Sequence, residues 1–202
     1  MKTFLLLFLL IASCANTNAQ GIDGIGKIRL GMTTSELLNI FGEDMKPTKD
    51  FNKGVTNTFV ISKYVPVDGY YINDFNISFY NDSLYAMYSI EETNIKDALT
   101  LKYGEPQMEH KKEVKEYVNG IGNTIEKLDQ SFEFTWDTGS SDITCYYTDK
   151  VVHNSSGKPN RYTVFGIENK RIFNEIKKII QHKKEIESEK QRQENIKKLE
   201  NL

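Results

Sequence analysis

The sequence predicts an α+β fold: antiparallel sheet built from two helix-plus-strands units, closed by a long C-terminal helix. Three observations predict it. From Thr56 the apolar period switches to two, in segments rich in Val, Thr, Ile, Phe and Tyr. Two short helical segments each end in aromatic-Gly-Glu, at Phe41-Gly42-Glu43 and Tyr103-Gly104-Glu105, and each hands over to strands. After Lys170 there is no Gly or Pro, and charge is dense. Helices packed on antiparallel strands make this layer class.

The chain opens on Met1-Lys2 and a run from Phe4 to Ala12 that is almost wholly apolar. A positive start, an apolar run of about nine residues and a small-residue exit are the features of a secretory signal peptide. The run falls short of the roughly 20 apolar residues a membrane-spanning helix needs. The mature protein is therefore expected to carry no transmembrane helix and to be extracytoplasmic, in a bacterial periplasm, at the outer membrane or secreted. Two processing sites compete. Thr17-Asn18-Ala19 suits ordinary cleavage before Gln20, giving a leader of residues 1–19. Ile11-Ala12-Ser13-Cys14 resembles a lipobox, which would make Cys14 the lipidated first residue and the one route to a membrane. The expected body is residues 20–169, in halves of about 26–92 and 93–169, followed by a helical segment over 170–202.

Within the body, Gly21 to Gly26 is a glycine-rich lead-in. Thr33 and Glu36 form a capping box for a helix with Leu37, Leu38 and Phe41 as its stripe, stopped by Gly42. Glu43 to Lys53 reads as a loop. Strands are expected over Thr56–Val65, Tyr70–Tyr80 and Leu84–Ile90, the last two joined at Asn81-Asp82-Ser83. Phe75, Ile77 and Phe79 share one face of their strand, and Leu84, Ala86, Tyr88 and Ile90 align on the next. A second helix runs from N-cap Asn94 to Tyr103, with Ile95, Ala98, Leu99 and Leu101 as its apolar positions. Strands follow over Glu113–Val118, Ile125–Asp137, Asp142–Thr148 and Arg161–Ile167, with a soft loop over His153–Asn160.

In the terminal helix Ile172, Ile176, Ile179, Ile180 and Ile186 keep helical spacing, and between Glu187 and Asn195 the stripe vanishes. The first half is expected to pack and the second to project. Residues 168–202 hold ten basic and seven acidic side chains, a net +3, against a net −6 for residues 20–167. The whole chain sits at −2, which argues against a nucleic-acid partner.

The pattern Gly31-Met32-Thr33, Leu37 and Phe41-Gly42 resembles the start of small outer-membrane lipoproteins of the SmpA/OmlA (BamE) type, and of domains like the β-lactamase inhibitor protein. Asp44 stands where that pattern has Pro, although Tyr103-Gly104-Glu105-Pro106 restores it in the second unit. The resemblance implies an exported binding or envelope-assembly module without catalysis, and no site residue carries over.

No catalytic or metal-binding set is legible, and no cofactor is expected. His110, His153 and His182 share no ligand spacing and read as solvated surface residues. Ser155-x-x-Lys158 lies in a loop rather than at a helix start, without companion motifs. Acidic residues such as Glu133 and Asp137 leave open an alternative, a small envelope hydrolase using surface carboxylates. Cys145, between Thr144 and Tyr146 in a strand pattern, is expected to be a core thiol. Phe132, Phe134 and Trp136 are expected to fill the core. Tyr80, Tyr85 and Tyr146 lie opposite the aliphatic strand faces. They form either an aromatic surface for an unknown protein or envelope component, or a face covered by the terminal helix.

Overall fold

The computed structural model describes residues 21–48, 54–90, 94–118, 121–154 and 156–200. Cys14, both cleavage sites and Ser155 lie outside the described residues. A small ribbon, β1 (Gly24–Ile25) and β2 (Ile28–Arg29), precedes helix α1 (Thr34–Phe41), a 3-10 turn (Gly42–Asp44) and strand β3 (Met45–Pro47). Then come β4 (Asn57–Val67), β5 (Tyr70–Tyr80) and β6 (Ser83–Ser89). Helix α2 (Ile95–Tyr103) leads into β7 (Gln107–Val118), β8 (Thr124–Trp136), β9 (Ile143–His153), β10 (Pro159–Asn169) and helix α3 (Lys170–Glu200). The fold is α+β.

Strands β3 to β10 form one antiparallel sheet in the order β3-β4-β5-β6-β10-β9-β8-β7. The order shows two helix-plus-four-strand units, each a meander whose last strand turns inward. They meet where β6 pairs with β10.

The two faces of the sheet differ. On one, Phe75, Ile77, Phe79, Met87, Cys145, Trp136, Phe165 and Ile167 are all at most 2% exposed. Ile22, Ile25 and Ile28 of the ribbon region, Leu37 of α1 and Ile95 and Leu99 of α2 close over them. The alternation in Phe75-x-Ile77-x-Phe79 thus corresponds to burial on the core face. Cys145 is a core thiol, fully buried and unpaired, and burial pushes it up to about 12.

Local chemistry explains the attachments. Thr33 and Glu36 make the reciprocal capping box. Asn81 and Asp82 both adopt positive φ in the two-residue turn between β5 and β6, where short polar side chains tolerate it. Asp82 Oδ1 then accepts the Thr34 N–H at 3.1 Å, fixing the start of α1 over that hairpin. The Tyr64 hydroxyl accepts the Lys27 N–H at 3.0 Å and donates to the Ile25 carbonyl at 3.0 Å, tying the ribbon to β4. Gly26, at φ 58°, permits that approach, because a Cβ there would fall 2.2 Å from the Tyr64 oxygen.

Several boundaries differ from expectation. The glycine-rich lead-in contains β1, and the loop after α1 contains β3. β7 begins at Gln107 rather than Glu113, since Gln107 to Lys112 are exposed on both faces and show no apolar alternation. β9 extends to His153 and β10 begins at Pro159, shortening the soft loop. A register shift between Ser78 and Phe79 divides the expected Leu84-Ala86-Tyr88-Ile90 face. Leu84 joins the main core, Ala86 packs on the opposite face, and Ile90 is exposed. Asn94 occupies the N-cap of α2 but makes no side-chain cap bond. It instead accepts the Tyr71 N–H at 2.9 Å and donates to the Gly69 carbonyl at 2.9 Å, bracing the β4–β5 turn. Leu101, expected on the packed stripe of α2, is 80% exposed.

Candidate functional site

The expected tyrosine surface is largely covered. Helix α3 crosses the second face of the sheet, where Tyr85, Ala86 and Ile176 form a buried cluster flanked by Val55, Tyr80, Ile172 and Ile180. Tyr85 is 5% exposed. The Tyr80 hydroxyl donates to Glu175 of α3 at 3.0 Å. Asn169 Oδ1 accepts the Ile172 N–H at 3.1 Å, and the Lys170 N–H donates to the Asp142 carbonyl at 2.7 Å, so the start of α3 is held at both sides. Tyr146 is half-buried with its ring over Gly166, where any Cβ would fall 2.5 Å from it. Beyond Gln181 the described side chains of α3 are exposed.

This layer contains one carboxyl group with a pH consequence. Glu168 is half-buried, between Ala86 and Thr144 across the sheet, and desolvation raises it above the ordinary carboxylate range while Lys170 opposes. Burial pushes the neighbouring Tyr146 hydroxyl up to about 12. A raised carboxyl favours the protonated fold. That contribution is fully present below about pH 4.5 and is lost as pH rises through the folded value. The variant Glu168→Gln is therefore expected to gain stability over the parent at about pH 7 but not at about pH 4. Urea unfolding at both pH values checks this, and an equal gain at both would remove the electrostatic explanation.

A polar cleft of about 220 Å³ lies on the same face of the outer strands, lined by Lys111, Glu113, Lys115, Asp129, Ser131, Glu133 and Lys150. It collects the carboxylates a hydrolase would need, but pairs them with cations. Lys115 Nζ lies 2.8 Å from Asp129 Oδ2 and 3.3 Å from Glu113. Lys111 lies 2.5 Å from Glu133. Asp129 Oδ1 accepts from the backbone N–H of His153 at 2.8 Å and lies 2.9 Å from its Nδ1. Lys115 first and His153 second bring the Asp129 carboxyl down to about 2, and the same partners raise Lys115. Neither group titrates near neutral pH, as a general acid or base must.

His153 is thus an inward-facing strand residue, and His110 stacks on Phe132 with ring centroids 4.1 Å apart. His153 corrects the expectation of solvated histidines, whereas His110 is exposed as expected. The stack also places Phe132 outside the main core, whereas Phe134 packs against it and Trp136 lies within it. Of the two carboxylates considered for a hydrolase, Glu133 pairs with Lys111 and Asp137 accepts the Gly139 N–H at 2.9 Å. Among the described residues no three His, Cys, Asp or Glu side chains gather to hold a metal ion.

The third feature is apolar. Helix α2, the β4–β5 turn and the β1–β2 ribbon enclose an open groove of about 360 Å³. Ile25, Ile95 and Leu99 form its buried floor, with Ala98, Tyr70 and Tyr103 on the walls. Leu101 and Val67, 80% and 58% exposed, stand at the rim beside Pro66 and Lys102. Lys102 Nζ sits 4.8 Å from the Tyr103 ring centroid, leaving one cation at an otherwise apolar mouth. Such a groove holds aliphatic side chains by burial and supplies no reactive group. Alternation along single elements could not reveal it, because its residues come from three elements.

No protein-family model matches the chain, and neither the curated proteins nor the solved structures yield a match. No helix among the described residues is long and apolar enough to cross a membrane.

Proposed function

We propose that the chain is an exported, non-enzymatic binding or envelope-assembly module, and that its apolar groove receives an apolar segment of a partner protein. The groove between α2 and the β4–β5 turn carries this reading. Its floor belongs to the folded core, while Leu101 and Val67 remain uncovered at its mouth. Lys102 favours an acidic residue flanking the bound segment. The leader supports export, through cleavage after Ala19 or lipidation at Cys14. The hydrolase alternative has less support, because the carboxylates of the polar cleft are held in ion pairs.

A synthetic Leu- and Val-rich peptide ending in aspartate tests the groove. Titrated into methyl-labelled protein, it is expected to shift resonances of Val67, Leu99 and Leu101 selectively. Leu101→Asp should abolish the shifts and leave unfolding within about 0.5 kcal/mol of the parent, since the side chain is exposed. No shifts, or shifts spread over the molecule, would rule the groove out. Export is read from the mature N-terminus by mass spectrometry, with Cys14→Ser as the control for fatty-acid labelling. A full-length chain retained in the cytoplasm would remove that half of the proposal.

A further inference from the structure

Among the described residues, strand β7 forms one edge of the eight-stranded sheet and pairs only with β8. It is twelve residues long, and its register with β8 runs unbroken from Gln107 to Val118. It contains no Pro and no bulge. Long regular edges invite another strand, and proteins usually blunt them. Here the charges are ordered. Around Val114 the sequence reads Lys112-Glu113-Val114-Lys115-Glu116, in which each charge has its opposite at the mirrored position.

We infer that the β7 edge is the interface with a second copy of this chain, the two β7 strands pairing antiparallel about a two-fold axis through Val114. An isologous contact sets residue i of one copy against residue j of the other, and the reverse. In this register Lys112 faces Glu116, and Glu113 faces Lys115, each twice by symmetry. Lys111 faces Tyr117, and His110 faces Val118. No like charges meet among these pairs.

Nearby registers are poorer. Centring on Glu113 sets Glu113 against itself and Lys111 against Lys115. Centring on Lys112 restores Glu–Lys pairs on one face but sets Lys112 against itself and Met108 against Glu116. Like charges directly opposite destabilise a strand pair, so the sequence selects the Val114 register. The pairing also covers exposed apolar surface. Val114 is 62% exposed and its β8 neighbour Leu128 43%. Across the axis they would form a continuous row, Leu128-Val114-Val114-Leu128. The contact is small, which places it among weak, concentration-dependent associations.

Sedimentation equilibrium on the full chain, over a range of concentrations, tests the inference. The parent is expected to dimerise reversibly. Lys112→Glu alone and Glu116→Lys alone should each weaken dimerisation roughly 10- to 100-fold, by turning two attractive pairs into two repulsive ones. Both positions are exposed, so folding should be unaffected, as thermal unfolding will verify. Mixing the two variants in equal amounts should restore association as a heterodimer, and Lys112→Glu/Glu116→Lys in one chain should restore the homodimer. A parent that stays monomeric at its highest soluble concentration would overturn the inference. So would a dimer indifferent to both reversals, or a mixture that associates no better than its components.

Discussion

Phe165→Ala is expected to lower the unfolding free energy by about 3–5 kcal/mol, the cost of removing a large ring from a site that cannot collapse. Phe165 is fully buried at the middle of the sheet, where β10 meets both β6 and β9. Its cross-strand partners are Ser89 on one side and Tyr147 on the other, and both are buried. Four strands flank β10 on one side and three on the other, which restricts relaxation, so most of the vacated volume should persist as a cavity. Since domains of this kind have about 5–15 kcal/mol in total, the variant should be marginal. Equilibrium urea unfolding is the measurement. The midpoint should fall sharply while the slope stays unchanged. A loss below about 1 kcal/mol would mean that the two units meet more loosely than their packing indicates.

Ile176→Asp should act on the other layer. Ile176 is 3% exposed and sits against Tyr85 and Ala86, under the docked part of α3. A carboxylate there has no cationic partner in the buried cluster, and burying it unpaired is costly enough that the helix should release instead. The expected result is a folded sheet with a detached α3: rapid amide exchange from Ile172 to Ile180, slow exchange retained at Phe75, Ile77 and Phe165, and new binding of an apolar dye to the uncovered Tyr80 and Tyr85. Complete unfolding would instead make α3 integral to the main core. Exchange rates unchanged along α3 would show that its hold comes from Tyr80–Glu175 and the Asn169 cap.

The contrast between these layers shows what could be read from the chain. Period-two alternation placed Phe75, Ile77 and Phe79 on one face of β5 because that face meets the apolar core, whereas the opposite face, with Asn76, Ser78 and Tyr80, is polar or meets α3. Ile172, Ile176 and Ile180 of α3 were equally legible, whereas Ile186, at the same helical spacing, is exposed because the helix has by then run past the sheet contacts. Gln107 to Lys112 carry no strand signal, because an edge strand open on both faces needs no apolar pattern. The displacement of Leu84 from Ala86 and Tyr88 depends on a shift of register, which no local pattern encodes. His153 and Asp129 lie 24 residues apart and meet only because β8 and β9 are neighbours. The apolar groove is the same kind of feature: each wall looks ordinary until three elements assemble around it.

The pairing of β6 with β10 has a kinetic consequence. Within each unit, strands join their sequence neighbours, so closing those loops takes little chain entropy and should proceed early. The seam between the units spans only four residue pairs, Phe165 to Glu168 against Ser89 to Ala86, and closes across some eighty residues of chain. The slow event in folding is thus expected to be the encounter of two preassembled meanders, with the seam as the last sheet contact to form and the first to open.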